Sequence, residues 1–377
     1  MSDVFSCKYG FTEPSDNWFT TQIFQYESSV IDQDIINIYP VDERIVFLLG
    51  TDDDKVRQQG GTRKDQSALF FRSVDGGRTF EKQVLDKGVL ESVSRSADGK
   101  SFYMVCARFG EDDERKPSNF QLLKSTDTGK TWTDLYLFED KLLDKVQFFN
   151  DSTGFASVRQ EPIGYHLPVL YKTSDGGKTW TPTKVDMDNK SIDLITPEGK
   201  LLGRYVEDEP AIWEMDINDM AVKRIPLSIP DGFHIADFIQ TDPITKFHYV
   251  QLMTRAPNYD MDIEEEYLLL CIETGEIIQL PDNAFHYNIY GDYIGVLGGL
   301  KANYNIAQYY YSEDKGKTWK AETPKCFILF AHPGLYGKGY VWVMCSMPVD
   351  DIPYPLLVRI PPTEEVQKKP SKWSILD

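Results

Sequence analysis

The sequence predicts an all-β fold, a seven-bladed β-propeller with four-stranded antiparallel blades, and three observations carry that expectation. First, the pattern Ser/Thr-x-Asp-x-Gly-x-Thr-aromatic occurs four times, at 73–80, 125–132, 173–180 and 312–319. Second, the first three of its Asp residues, 75, 127 and 175, lie 52 and 48 residues apart, and the 139 residues from 175 to 314 hold close to three such repeats. Third, no stretch sustains the apolar period of a helix. Repeats of about fifty residues with several strands each are the mark of propeller blades.

Each copy reads as a hairpin corner. An Asp at this place accepts hydrogen bonds from backbone amides further along, and the Gly supplies a positive φ. The Thr and the ring then lead into the next strand, where the ring can bury a large apolar area. An apolar strand precedes each copy, as in Ala68-Leu69-Phe70-Phe71 and Gln308-Tyr309-Tyr310-Tyr311. Asp75, Asp127, Asp175 and Asp314 with Phe80, Trp132, Trp180 and Trp319 are therefore the structural residues of the corners. These repeats resemble the Asp boxes, or bacterial neuraminidase repeats, of sialidase-like β-propellers. The resemblance implies the fold rather than an activity, because that family spans hydrolases, receptors and assembly factors.

Lettering the strands of a blade A to D, the repeats align along one domain, 1–377, with blades near 30–86, 87–138, 139–186, 187–228, 229–281, 282–323 and 324–377. In the first, 35–39, 44–49 and 80–85 are expected as A, B and D, with the corner after C. The second has 90–93, 101–108, 120–124 and 131–137; the third 145–149, 154–159, 168–172 and 180–185. The fourth (191–195, 201–206, 211–215, 221–227) and fifth (235–239, 247–253, 267–272, 277–280) lack the full motif. The sixth regains it at Asp314. In the last, 327–331, 340–345 and 356–360 are A to C, and 372–376 can supply D. Residues 18–25 alternate in part and could add an edge strand, so that both termini close the ring and hide its edges. Six blades with an appended end unit is the alternative.

Composition narrows the function classes. A net charge of −19 over 377 residues argues against a nucleic-acid binder, which needs a basic face, and suits either solubility or a basic protein partner. No apolar run reaches the length of a membrane span. Cys7, Cys106, Cys271, Cys326 and Cys345 are odd in number and mostly sit in apolar runs, which reads as reduced thiols in the cytoplasm. The first residues have neither a basic n-region nor an apolar h-region, so no secretory leader is expected.

In such blades the corners are C–D turns, and the B–C and D–A connections lie at the other end. The resemblance implies that function sits with the latter. The B–C connections are acidic, and the candidate partner-binding residues are Asp112, Asp113, Glu207, Asp208, Glu209, Asp260, Asp262, Glu264, Glu265, Asp350 and Asp351. Gathered on one rim they would steer a basic partner; the bland reading is solvated loops. Asp260, Asp262 and Glu264 alternate but lack the glycine turn and length of a calcium loop, and no His/Cys spacing suits zinc, so neither metal nor cofactor is expected.

Arg108, Arg159, Arg204 and Arg255 fall near the end of strand B in four successive repeats. They are either an anion site near the pore or partners of nearby carboxylates. The Arg-Ile-Pro signature of sialidases occurs only at 224–226 and 359–361, on late strands, which departs from the family's first-blade position. The expected function is a non-catalytic propeller that docks a basic protein, as an immunity protein or an assembly factor. The alternative is a glycoside hydrolase acting on a glycan through two spaced carboxylates.

Overall fold

The computed structural model describes residues 18–21, 33–52, 65–109, 117–160, 168–205, 210–236, 239–254, 266–281, 284–300, 303–322, 333–344 and 356–361. The four corners fold alike. In the first, the Ser73 hydroxyl donates to Asp75 Oδ1 and accepts the Gly77 amide at 2.8 Å. Asp75 Oδ1 accepts the amides of Arg78 and Thr79, and Oδ2 accepts the Thr79 hydroxyl. Ser125, Asp127 and Thr131 repeat this, as do Thr173, Asp175 and Thr179, and Ser312, Asp314 and Thr318.

So many donors favour the charged carboxylate. The bonds from Thr131, Thr179 and Thr318 pull Asp127, Asp175 and Asp314 down to about 2. At Asp75 partial burial pushes upward, and the bonds from Thr79, Ser73 and Arg78 outweigh it. A folded-state value below the unfolded one contributes stability that is complete above the ordinary carboxylate value of 3.8 and is lost as pH falls toward 2. Thermal melts across that interval will show the melting temperature dropping with acidity. The combined Asp127→Asn, Asp175→Asn, Asp314→Asn variant will start lower and lose less.

Seven antiparallel sheets follow from these corners and the turns between them, and they form a seven-bladed β-propeller. The first blade is Gln33–Pro40, Val46–Asp52, Ser67–Ser73 and Glu81–Lys87; the second is Val89–Arg95, Phe102–Phe109, Pro117–Ser125 and Thr133–Glu139. The third has Lys141–Phe148, Gly154–Gln160, Val169–Thr173 and Thr181–Pro182; the fourth has Leu194–Ile195, Lys200–Arg204, Ala211–Asp216 and Val222–Pro226. In the fifth, the inner strand is split into Phe233–Ile235 and Gln240–Thr241, both paired with His248–Thr254, ahead of Tyr267–Cys271 and Ile277–Gln279. The sixth is Ala284–Tyr290, Tyr293–Leu300, Asn303–Ser312 and Lys320–Glu322.

The seventh blade corrects two expectations. Its inner strand is Gly334–Tyr336 rather than 327–331, because the tight turn at 337–339 returns the chain directly onto Tyr340–Met344. Among the described residues its outer strand is Trp18–Thr21, in register with Leu356–Arg359, in the place the sequence offered to 372–376. Residues 327–331 and 372–376 lie outside the described residues. The ring is thus closed by chain from both ends of the sequence in one sheet. The fifth blade also keeps a trace of the corner motif in Cys271-Ile272-Glu273-Thr274-Gly275, where the Cys271 thiol points to Glu273 at 3.7 Å as Ser73 does to Asp75.

The corners also couple neighbouring blades. Gly77 has φ +93°, and a Cβ there would come within 2.8 Å of the indole nitrogen of Trp342 in the seventh blade. That nitrogen donates to the Gly76 carbonyl at 3.0 Å. Gly129 likewise rests on Phe47 and Phe70 of the first blade. Arg72 Nε donates to the Thr128 carbonyl and Lys172 Nζ to that of Ile217, each reaching from one blade to the next blade's corner. Between the second and third blades, Tyr103 stacks on Phe148 and Phe138 packs on Trp180. Trp180 is buried, whereas Phe80, Trp132 and Trp319 are half-buried, and strand D starts one residue after each ring. Ser73→Ala leaves the buried Gly77 amide without its acceptor, an expected loss of about 1–3 kcal/mol in denaturant melts.

Candidate functional site: the channel mouth beneath the B–C connections

The antiparallel order places the four C–D corners at one end of the ring and all B–C connections at the other. Phe109 and Pro117, Arg204 and Ala211, Thr254 and Tyr267, and Met344 and Leu356 are the strand ends that flank the acidic stretches. The eleven acidic candidates themselves, Asp112, Asp113, Glu207, Asp208, Glu209, Asp260, Asp262, Glu264, Glu265, Asp350 and Asp351, lie outside the described residues, as does Arg255. What is described is the rim beneath them, formed by the innermost strands.

That rim is built from β-bulges. The pairing of strand A with strand B skips Ile36 in the first blade, Glu91 in the second, Asp144 in the third and Phe285 in the sixth. A bulge adds one residue, bends the strand and re-aims a side chain. Asp193 takes the matching place in the fourth blade, its amide donating to Leu202 just ahead of the Leu194–Leu202 pair. Each bulge lies near the start of strand A, hence at the end where the B–C connections leave.

Two of the candidate arginines are committed to these acids. Arg159 forks Asp144 through Nε and Nη2, at 3.0 and 2.5 Å. Arg204 forks Asp193 at 2.9 and 3.2 Å. The bond to Asp144 raises the Arg159 pKa above its usual value. Asp193 is buried and also receives the Ile239 amide at 3.4 Å, which ties the fourth blade to the fifth. The partners are inner-strand aspartates rather than loop acids. Arg108 is half-buried at the end of Phe102–Phe109.

Glu91 differs. It is open to water and makes no hydrogen bond or ion pair among the described residues, yet desolvation raises its pKa. A carboxylate that water reaches but protein flanks is the expected state of a channel wall. The site can therefore offer negative charge to a cation while its forked arginines are already neutralised. Among the described residues, no three His, Cys, Asp or Glu side chains converge to hold a metal.

The inner-strand acids carried a signal in the sequence that the motif reading passed over. Leu90-Glu91-Ser92-Val93, Leu143-Asp144-Lys145-Val146 and Ile192-Asp193-Leu194-Ile195 share the form aliphatic-acid-x-aliphatic. Glu91, Asp144 and Asp193 fall 53 and 49 residues apart, in step with the corners.

The fold and this rim define the class, a seven-bladed β-propeller, and known structures agree. The structure of YCF48 bound to D1 peptide is similar at a TM-score of 0.54 and 14% identity, over 93% of this chain and 97% of that one. An oligogalacturonate lyase from Vibrio parahaemolyticus gives 0.57 at 12% identity, over 92% and 97%. An acylaminoacyl peptidase from Pyrococcus horikoshii gives 0.55 at 8% identity, over 86% of this chain and 51% of that one. At these identities the likeness is one of fold. No protein-family model and no curated protein matches the sequence.

Proposed function

We propose that this chain is a non-catalytic, protein-binding propeller of the Asp-box type that docks a basic partner on the end bearing the B–C connections. The observation that carries the reading is the rim itself, where among the described residues Glu91 has no partner while Arg159 and Arg204 are neutralised by Asp144 and Asp193. A rim in that state favours a lysine or arginine side chain over an acidic sugar. The net charge of −19 and the acidic B–C stretches add long-range attraction for such a partner. The four corner motifs support the Asp-box assignment, and a peptide-bound structure of the same fold is a precedent for protein binding. Immunity against a basic toxin and assembly of a basic subunit both fit this chemistry. The apolar burial of Cys106 and Cys271 suits a cytoplasmic setting.

The test is capture of partners from native lysate, identification by mass spectrometry, and titration of the purified partner. Affinity is expected to fall about tenfold or more between low and high salt, because exposed charges are screened beyond a Debye length of about 8 Å at physiological ionic strength. The combined Asp260→Asn, Asp262→Asn, Glu264→Gln variant should weaken binding by a similar factor. Indifference to both salt and neutralisation would overturn the proposal.

One observation favours a second reading, a glycoside hydrolase. A carboxyl with a raised pKa is what a general acid needs, and desolvation raises that of Glu91. Turnover of an aryl-glycoside panel that disappears in Glu91→Gln would establish that reading in place of the first.

A further inference from the structure

The outer wall of the third blade is cut short. Its fourth strand is only Thr181–Pro182, against seven residues in each of the first two blades. The Thr183 amide still donates to the Leu170 carbonyl at 2.8 Å, and there the ladder stops. Between this edge and the C–D corner of the fourth blade lies a groove of about 680 Å³. Its lining runs from the corner end of the perimeter, at Lys172 and Asp219, along the D–A connection as far as Lys190.

The groove combines apolar surface with three ammonium groups. Pro182, Val185, Met220 and Val222 supply the apolar part, and Val222 is exposed despite its aliphatic side chain. Lys172 Nζ is held by the Ile217 carbonyl at 3.1 Å and lies over the Phe155 ring. Lys190 Nζ is held by the Asp188 carbonyl at 3.0 Å and lies over Tyr205. An ammonium has three donors, and each of these uses one of them among the described residues. Lys184 is exposed and makes no hydrogen bond or ion pair among the described residues. The two lining acids are turned to their own loops: Asp186 accepts the Asp188 amide and Asp219 the Ala221 amide.

The edge also has backbone to offer. Thr181 stands opposite Lys172 and Thr183 is bonded to Leu170, so the period of two turns the Pro182 carbonyl outward. Lys184 follows in a bend, where its amide makes no backbone hydrogen bond among the described residues.

We infer that this groove binds an extended acidic peptide, which adds as a short strand to the edge of the third blade. Its carboxylates meet Lys172, Lys184 and Lys190, and an intervening apolar side chain lies on Val185, Met220 and Val222. Strand addition of this kind takes affinity from main-chain bonds and selectivity from alternate side chains. Charge complementarity argues for acids in particular, because these lysines are gathered at one groove of a chain whose net charge is −19. The long-range field opposes an anion, so the attraction acts only at short range. The propeller thereby has two docking chemistries of opposite sign.

The probe is a fluorescein-labelled hexapeptide alternating Glu and Val, followed by anisotropy, with a neutral hexapeptide alternating Gln and Val as the control. Saturable binding of the acidic peptide is expected, with at least a tenfold loss in Lys184→Glu, Lys190→Glu. Lys172 is left intact because it bridges two blades. Hydrogen exchange on the unaltered protein supplies a second readout, in which the Lys184 amide gains protection when the acidic peptide is present. No binding at about 1 mM peptide, which corresponds to roughly −4 kcal/mol, overturns the inference. So does equal binding of the Gln–Val peptide, indifference to charge reversal, or protection confined to another blade.

Discussion

Arg359→Met will lower the free energy of unfolding by about 3–5 kcal/mol, the range found when one partner of a buried ion pair is removed. Arg359 is 1% exposed, among the most buried large side chains of the molecule. Its Nε and Nη2 donate to the two carboxylate oxygens of Glu322 at 2.8 and 2.7 Å, and Nη1 donates to the Gly339 carbonyl at 2.6 Å. The guanidinium lies 4.9 Å from the ring centre of Tyr309 and 5.1 Å from that of Tyr311. Trp18 Nε1 donates to Glu322 at 3.0 Å. One carboxylate on the outer strand of the sixth blade thus holds two strands of the seventh. Methionine would fill much of the volume but leave that carboxylate without its countercharge. Arg359→Met, Glu322→Leu should recover part of the loss, since no uncompensated charge remains, though the Trp18 indole then lacks its acceptor. Denaturant melts of the two single variants and the double close a cycle. A coupling energy near zero would contradict the assignment of this pair as the latch.

Trp342→Ala should cost about 3–5 kcal/mol, the usual range for removing a large buried ring. Trp342 is fully buried, stacks on Tyr340 and donates to Gly76 across the seam between the seventh and first blades. Trp342→Phe keeps most of the apolar contact and loses the bond, which should cost about 1–2 kcal/mol through the unsatisfied Gly76 carbonyl. Hydrogen exchange separates this from general loosening. Protection should fall first in Ser67–Ser73 and Leu356–Arg359, which flank the seam, and persist in the third and fourth blades. Uniform loss around the ring would mean that the seam is no weaker than any other.

Much of this architecture was legible because the corner chemistry is local. Ser73, Asp75, Gly77 and Thr79 satisfy one another within seven residues, so the motif survives in the sequence as a readable unit. The fifth blade shows the limit, since Cys271 and Glu273 hold the same places with a different hydrogen-bonding set that the motif does not match. Closure was harder to read because it is non-local. Nothing near Trp18–Thr21 announces Leu356–Arg359 as its partner, and the tail at 372–376 looked as suitable. The inner-strand acids were missed for another reason. A bulge is defined by the strand opposite, so Glu91, Asp144 and Asp193 read as ordinary alternation until the register was known. The arginines were found, and their fork partners were not, because Asp144 lies 15 residues before Arg159 and Asp193 11 before Arg204.

The placement of Trp18–Thr21 in the last sheet has a consequence for how the protein is made. Trp18 leaves the ribosome 304 residues ahead of Glu322, and its strand has no ladder to join until Leu356–Arg359 has followed. A nascent chain that stops short of that point can assemble its early sheets but not the complete annulus. Premature termination products should therefore expose an open seam to quality-control proteases, and a surface to which every sheet contributes becomes available only once translation has passed Leu356–Arg359.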